Sequence, residues 1–186
     1  MFIDNLYNAH PKDILLKHGP TKLLVNKYHW HSPNAGIVAS YTPNERDVHD
    51  HFGFFRGVDQ IESFAQATTC SASIFLECEK LNCTPFELSQ TFLPLFLGVG
   101  QVNFVGYLEK GDTFISIGNI KFYKFRQMVC DGRIYKCPKD IDLDEYFKDF
   151  TDKRSSEYDI SADFTLVAEL SGVTGRSVKI DTLNRN

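Results

Sequence analysis

The stretch His51-Phe52-Gly53-Phe54-Phe55-Arg56-Gly57-Val58-Asp59-Gln60-Ile61-Glu62 gathers three groups able to act on one substrate. An imidazole exchanges protons near neutral pH. A glycine at a helix start lets a ligand approach backbone N–H groups that have no intrahelical acceptor. A carboxyl facing an apolar wall has its charged form disfavoured, so it can keep a proton. From Gly57 onward Val58, Ile61, Ala65, Thr68, Ala72, Phe75 and Leu76 fall on one helical stripe, with Glu62 at its margin. Spacing alone leaves two readings: a carboxyl and an imidazole held at a site, or a helix-flank Glu reaching water beside a solvated loop His.

Other constellations are thinner. His49 and His51 flank Asp50 without a further ligand nearby, a poor zinc pattern. His29 and His31 alternate along a strand and are expected to share a face, which would allow a metal pair. The five cysteines (Cys70, Cys78, Cys83, Cys130 and Cys137) form no Cys-x-x-Cys and read as reduced packing residues. Neither a Gly-x-Ser-x-Gly elbow nor a phosphate loop is present. No metal and no cofactor is expected.

The elements that must position these groups form an α+β pattern. A short helix around residues 13–17 ends at Gly19-Pro20, and strands at 22–30 and 37–41 flank a turn at Ser32-Pro33-Asn34-Ala35-Gly36. The long helix covers about 57–80. Residues 81–100 read as irregular, with a helical turn capped by Thr84 ahead of Pro85. Strands follow at 101–108 and 113–130, the latter bent near Gly118. Asp131-Gly132 reads as a hairpin turn leading to a strand at 133–137. The acidic segment 138–160 reads as an exposed insertion, and two strand-like pieces, 164–170 and 177–180, close a single domain of residues 1–186. The tail Asn184-Arg185-Asn186 is expected to fray.

A chain of 186 residues buries roughly 70% of its unfolded surface and needs no disulfides to fold. A net charge of −4 without basic runs argues against nucleic acid. No apolar run is long enough to span a membrane, and the N-terminus lacks a signal-peptide pattern, so the expected location is cytoplasmic.

In order and in residues the chain resembles the hot-dog-fold 3-hydroxyacyl-[acyl carrier protein] dehydratases of fatty-acid or polyketide-type synthesis. The resemblance begins at Ile14-Leu15-Leu16-Lys17-His18-Gly19-Pro20 and Leu23-Leu24-Val25. It continues through Thr42-Pro43-Asn44-Glu45, His51-Phe52, Gly57-Val58, Ile61-Glu62 and Ala65-Gln66, and reaches Gly111-Asp112-Thr113. The family's loop carries prolines after its His-Phe; here residues 53–56 carry none and the loop is shorter. The resemblance implies an antiparallel sheet wrapped around one long central helix, and a dimer or larger homo-oligomer; a sheet covered by a single helix leaves an edge open, which would allow dimerisation by sheet extension. It implies that His51 is the base and that Glu62, from the other subunit, is the acid. The Gly57 N–H would hold the thioester oxygen, Gln66 would orient Glu62, and Val58 and Phe52 would line the substrate. The implied partner is acyl carrier protein bearing a phosphopantetheine thioester, with Arg56, Lys124 and Arg126 as docking candidates. An acyl thioesterase on the same fold and a non-catalytic acyl-binding subunit remain alternatives.

Overall fold

A computed structural model describes residues 2–183, so Asn184-Arg185-Asn186 lie outside the described residues. A 3-10 turn (Leu6–Asn8) and α1 (Pro11–Ile14) lead to the hairpin β1 (Lys27–Ser32) and β2 (Gly36–Tyr41). Next come α2 (Glu45–Val48), β3 (Phe54–Phe55) and the central helix. That helix runs as α3 (Gly57–Ala65), a π-helical segment (Gln66–Cys70) and α4 (Ser71–Leu81). After it come α5 (Pro85–Thr91), β4 (Phe92–Gly98), β5 (Gln101–Phe104) and β6 (Leu108–Glu109). The long strands β7 (Phe114–Lys124) and β8 (Gln127–Lys136) precede α6 (Leu143–Phe147), α7 (Asp152–Glu157) and β9 (Thr165–Lys179). The main sheet has the order β1-β2-β7-β8-β9-β4, with β5 also paired to β9, and its pairings are antiparallel.

The central helix lies against β7 and β8 where the two strands have no side chains. Gly118 and Gly132 face each other in the β7–β8 register. A Cβ on Gly118 would stand 2.3 Å from Thr68 Cγ2, and one on Gly132 would stand 2.2 Å from the Ile117 carbonyl oxygen and 2.4 Å from the Phe64 ring. Asp131-Gly132 is therefore no turn. Its glycine serves helix approach, and β8 runs straight through it. The hairpin turns at Phe125 and Arg126 instead, both at positive φ (54° and 61°), as a two-residue turn between antiparallel strands requires.

The apolar stripe is met in part: Ala65, Thr68, Ala72 and Phe75 are buried, but Val58 is exposed. The helix also buries Ser63, Gln66, Thr69, Ser71 and Ser73, so its polar side is covered too. Hydroxyls make this tolerable. Thr68, Thr69 and Ser71 donate to the carbonyls of Phe64, Ala65 and Gln66 at 2.6–2.9 Å.

Three further expectations change. Residues 92–98, read as irregular, form β4 on the far side of β9. The two late strand pieces are one strand, β9, bent at Gly172 with φ +64°. Segment 138–160 is not an exposed insertion. Leu143, Phe147 and Phe150 are buried in one cluster with Val38, Ile115, Ile117 and Tyr135, and Trp30 meets the Phe150 ring edge-on at 5.4 Å. Their spacing turns three apolar residues inward while the acidic ones face water. This strap covers the sheet face opposite the central helix.

His29 and His31 do not share a face, because a bulge between Tyr28 and Trp30 breaks the alternation. His29 points toward the strap, bonded to Asp144 Oδ1 and Ser40 Oγ at 2.8 Å each. His31 lies against Phe75 on the helix side, ring centroids 4.7 Å apart. Cys78, Cys130 and Cys137 are buried, and all five cysteines are free thiols.

Two stability predictions follow from this packing. Gly132→Ala places a methyl against backbone and an aromatic ring, so it should destabilise by about 3 kcal/mol or more, at the upper end of overpacking costs, read as a fall in the urea midpoint. Burial pulls the His31 pKa from its ordinary 6.5 down to about 4. Between those values the unfolded chain binds a proton that the folded chain refuses, so stability is lost as pH falls. The loss should reach about 2–3 kcal/mol between pH 7 and 4.5, and should be smaller in His31→Leu.

Candidate active site

His51 stands on a rigid turn. Asn44 and Asp47 cap α2 reciprocally, and Tyr41 Oη donates to Asp47 Oδ2 at 2.7 Å. The chain then reverses through bonds from His51 N and Gly53 N to the Val48 carbonyl, at 2.9 and 3.3 Å, with Phe52 and Gly53 at positive φ. The turn around Gly111 and Asp112 ties this loop down, since Gly111 N donates to the Pro43 carbonyl at 2.8 Å and Lys110 N to the Gly53 carbonyl. Phe55 anchors the exit, buried against Tyr41 and Phe114. The His51 and Phe52 side chains themselves are exposed, Phe52 at 96%.

Gly57 is the first residue of α3, after Arg56 in the N-cap position, so its N–H has no acceptor within the helix. The Phe104 ring packs over it, 2.9 Å from where a Cβ would be. A side chain at this position would have to push the half-exposed Phe104 ring aside. Around this helix start Val58, Phe104, Val105 and Tyr107 are exposed, and Phe54 meets Tyr107 edge-on. The helix start is thus framed by an apolar margin on the surface of the chain.

Glu62 sits one turn further on and is held by Gln66. The Gln66 Nε2 donates to Glu62 Oε1 at 2.8 Å and to the Lys22 carbonyl at 2.7 Å, while its Oε1 accepts from Leu24 N at 2.9 Å. Ser63 Oγ donates to the Leu24 carbonyl at 2.7 Å. Segment 22–24, expected to open a strand, is bonded to the helix instead. His18, in the turn after α1, brings Nε2 to 3.7 Å from Glu62 Oε1, an ion-pair separation rather than a hydrogen bond. Between these residues and Leu95, Phe96 and Arg176 lies a cavity of about 60 Å³.

The His18 imidazole, and then the Gln66 amide, hold the Glu62 carboxyl below the usual carboxylate range, outweighing partial burial. Within one chain Glu62 is therefore ionised at neutral pH, unlike the proton-holding carboxyl expected from an apolar wall. Cys70, lining the same cavity, has its thiol pushed up to about 12 by burial and is no thiolate.

The structure brings Glu62 and Gln66 together and adds His18, which the sequence reading did not single out although it lies in the His18-Gly19-Pro20 entry motif. Among the described residues no hydrogen bond or ion pair joins His51 to Glu62 within the chain. Of the docking candidates, Arg56 is engaged by Asp59 and Arg126 by the buried Glu77.

No protein-family model matches the chain, and no curated protein matches it. Solved structures do. A chain of the dehydratase heterocomplex ApeI:P from Xenorhabdus doucetiae aligns at 14% identity and a TM-score of 0.62, over 96% of this chain and 100% of that one. The chain has the hot-dog fold. It also aligns with a mutant of the thioesterase PA1618 from Pseudomonas aeruginosa, at 15% identity and TM-score 0.49, over 94% of this chain and 99% of that one. A mutant of HI0827, a hexameric broad-specificity acyl-coenzyme A thioesterase, aligns at 10% identity and TM-score 0.47, over 76% and 79%.

The clamp yields a prediction of its own. Gln66→Leu strands the Leu24 N–H and the Lys22 carbonyl, each costing about 1–3 kcal/mol, so the variant should lose about 2–5 kcal/mol in urea unfolding. Hydrogen exchange at Leu24 should accelerate more than exchange across β7 and β8.

Proposed function

We propose that this chain is one subunit of a hot-dog dehydratase that removes water from a 3-hydroxyacyl thioester carried on the phosphopantetheine arm of an acyl carrier protein, giving the trans-2-enoyl thioester. The observation that carries the reading is the Glu62 carboxyl, fixed by Gln66 at the margin of the central helix and facing a polar cavity. The full-length likeness in fold to a chain of a dehydratase heterocomplex supports it. The exposed state of His51 fits a site completed between subunits, with the imidazole of one chain and the carboxyl of another converging on one substrate.

In this reading His51 takes the C2 proton of the substrate. The Gly57 N–H accepts the charge that gathers on the thioester oxygen, a donor of a kind worth about 3 kcal/mol to a transition state. Glu62 delivers a proton to the 3-hydroxyl as it leaves as water. Val58 and Phe52, exposed in the single chain, belong to the apolar wall along which the acyl group lies. The second subunit seats on the apolar margin around Phe104 and Tyr107.

One observation favours a second reading. A Glu62 that rests as a carboxylate is suited to activating water, which is the chemistry of a thioesterase.

The test is incubation with a 3-hydroxyacyl pantetheine thioester, followed by mass spectrometry. The expected product is the enoyl thioester, with rates about 10²–10⁴-fold lower in His51→Ala and in Glu62→Gln. Free acid as the product replaces the dehydratase reading with hydrolysis. No product, together with a raised melting temperature in the presence of the thioester, points to an acyl-binding subunit without catalysis.

A further inference from the structure

His18 is placed to do more than line a wall. Its backbone is fixed by a bond from His18 N to the Leu15 carbonyl at 2.9 Å, at the end of a helix whose Ile14 and Leu15 are buried. Its Nε2 faces Glu62, and its Nδ1 is buried without a hydrogen-bond partner among the described residues. A buried polar atom left unpaired is an exception that calls for a reason. The adjoining cavity of about 60 Å³ has room for water between His18, Glu62, Gln66 and Arg176. The other charged or titratable groups facing Glu62 are Lys22 from the segment before β1, Arg176 from β9 and Cys70 from the helix itself. The carboxyl thus stands among donors and cations, and alone it is a poor proton source.

We propose that the proton delivered to the substrate belongs to the His18–Glu62 pair, stored on the His18 imidazole and passed through the Glu62 carboxyl. This rests on the dehydratase reading above, and it makes His18 a positioning residue that acts through Glu62. The step balances. His18 Nε2–H gives its proton to Glu62 Oε1 as the two close from 3.7 Å, or across one water. The carboxyl passes a proton to the 3-hydroxyl oxygen. The C3–O bond breaks with its electron pair leaving on water, the C2–H electrons become the C2–C3 π bond, and the C2 proton goes to His51. His51 then releases one proton to solvent and His18 takes one up through the cavity. A pair that shares one proton titrates as a unit, so an ionised resting carboxyl is compatible with an acid role.

The experiment uses the full chain with histidine ring nitrogens labelled for NMR, alongside turnover of the 3-hydroxyacyl pantetheine thioester. In Glu62→Gln the His18 Nε2 signal should move more than that of any other histidine; an Nε2 signal unmoved by Glu62→Gln overturns the pair. In His18→Gln kcat should drop about 10²-fold with KM unchanged. The alkaline limb of its pH–rate profile should move to lower pH, toward the ordinary carboxylate range. His18→Gln with wild-type kcat and profile overturns the proposal, as does an equal loss at all pH values, which a merely structural role would give. A wild type that converts no 3-hydroxyacyl thioester defeats the dehydratase reading, and the His18 Nε2 signal then decides the pair by itself.

Discussion

Everything in this fold depends on how deeply the central helix sits in its sheet. Two glycines opposite each other on β7 and β8 remove side chains that would hold it off, and Phe64 and Thr68 fill the space. Interiors are packed close to crystal density, so a displacement of even a methyl is felt across the contact. The depth fixes which residues lie inside. On this helix even the serines and threonines lie inside, and Thr68, Thr69 and Ser71 stay there by returning a hydrogen bond to a carbonyl of the preceding turn, while Ser63 bonds the Leu24 carbonyl. Where those bonds cluster, the helix widens into its π-helical segment, and Gln66 stands at its first position. Such widenings often accompany functional sites because they re-aim side chains without ending the helix.

Gln66 converts that depth into an electrostatic environment. Its amide satisfies two backbone groups of segment 22–24, which has no strand partner at that point, and uses its remaining reach to hold Glu62. The turn after α1, just before that segment, carries His18 toward the carboxyl. A buried amide with each of its bonds made is rigid, and rigidity is what a proton-transferring group requires of its neighbours. Structural and chemical roles are therefore not separable at Gln66: the bond that closes the fold at Leu24 is made by the side chain that aims the candidate acid.

Much of the architecture was legible in the sequence, and the failures share a cause. Periodicity showed the long helix from Gly57, and Thr84 ahead of Pro85 announced the N-cap of α5. Gly132 misled because glycine has two uses, turning a chain and admitting a neighbour, and only the neighbour Phe64, distant in sequence, tells them apart. His29 and His31 misled because one bulge inverts a period of two. Leu143, Phe147 and Phe150 are spaced as a helix face, yet the acidic residues between them dominate the local composition. β4 carries Pro94 and lies at the sheet margin, where proline is tolerated and strand signals are weakest. At the site, the place of Glu62 at the margin of the stripe was readable from helical spacing, and Gln66 from the resemblance. His18 was not, because its partner lies in another element and nothing local marks the pairing.

The charge state of Glu62 links the site to assembly. Its side chain is 42% exposed in the single chain, and the groups that keep it ionised, His18 and Gln66, belong to the same chain. Burial acts in the opposite direction and grows as water is removed. In the dimer proposed above, a second subunit that covers the carboxyl takes water from it. The resting carboxylate is then destabilised, while the attraction to His18 strengthens in the lower dielectric. Both changes favour a proton held between the two side chains over one lost to solvent. An acid and a base use the same carboxyl here, and the extent to which assembly dries the cavity decides between them. A loosely seated partner leaves a carboxylate suited to activating water. A closely seated one leaves a proton available for a departing hydroxyl.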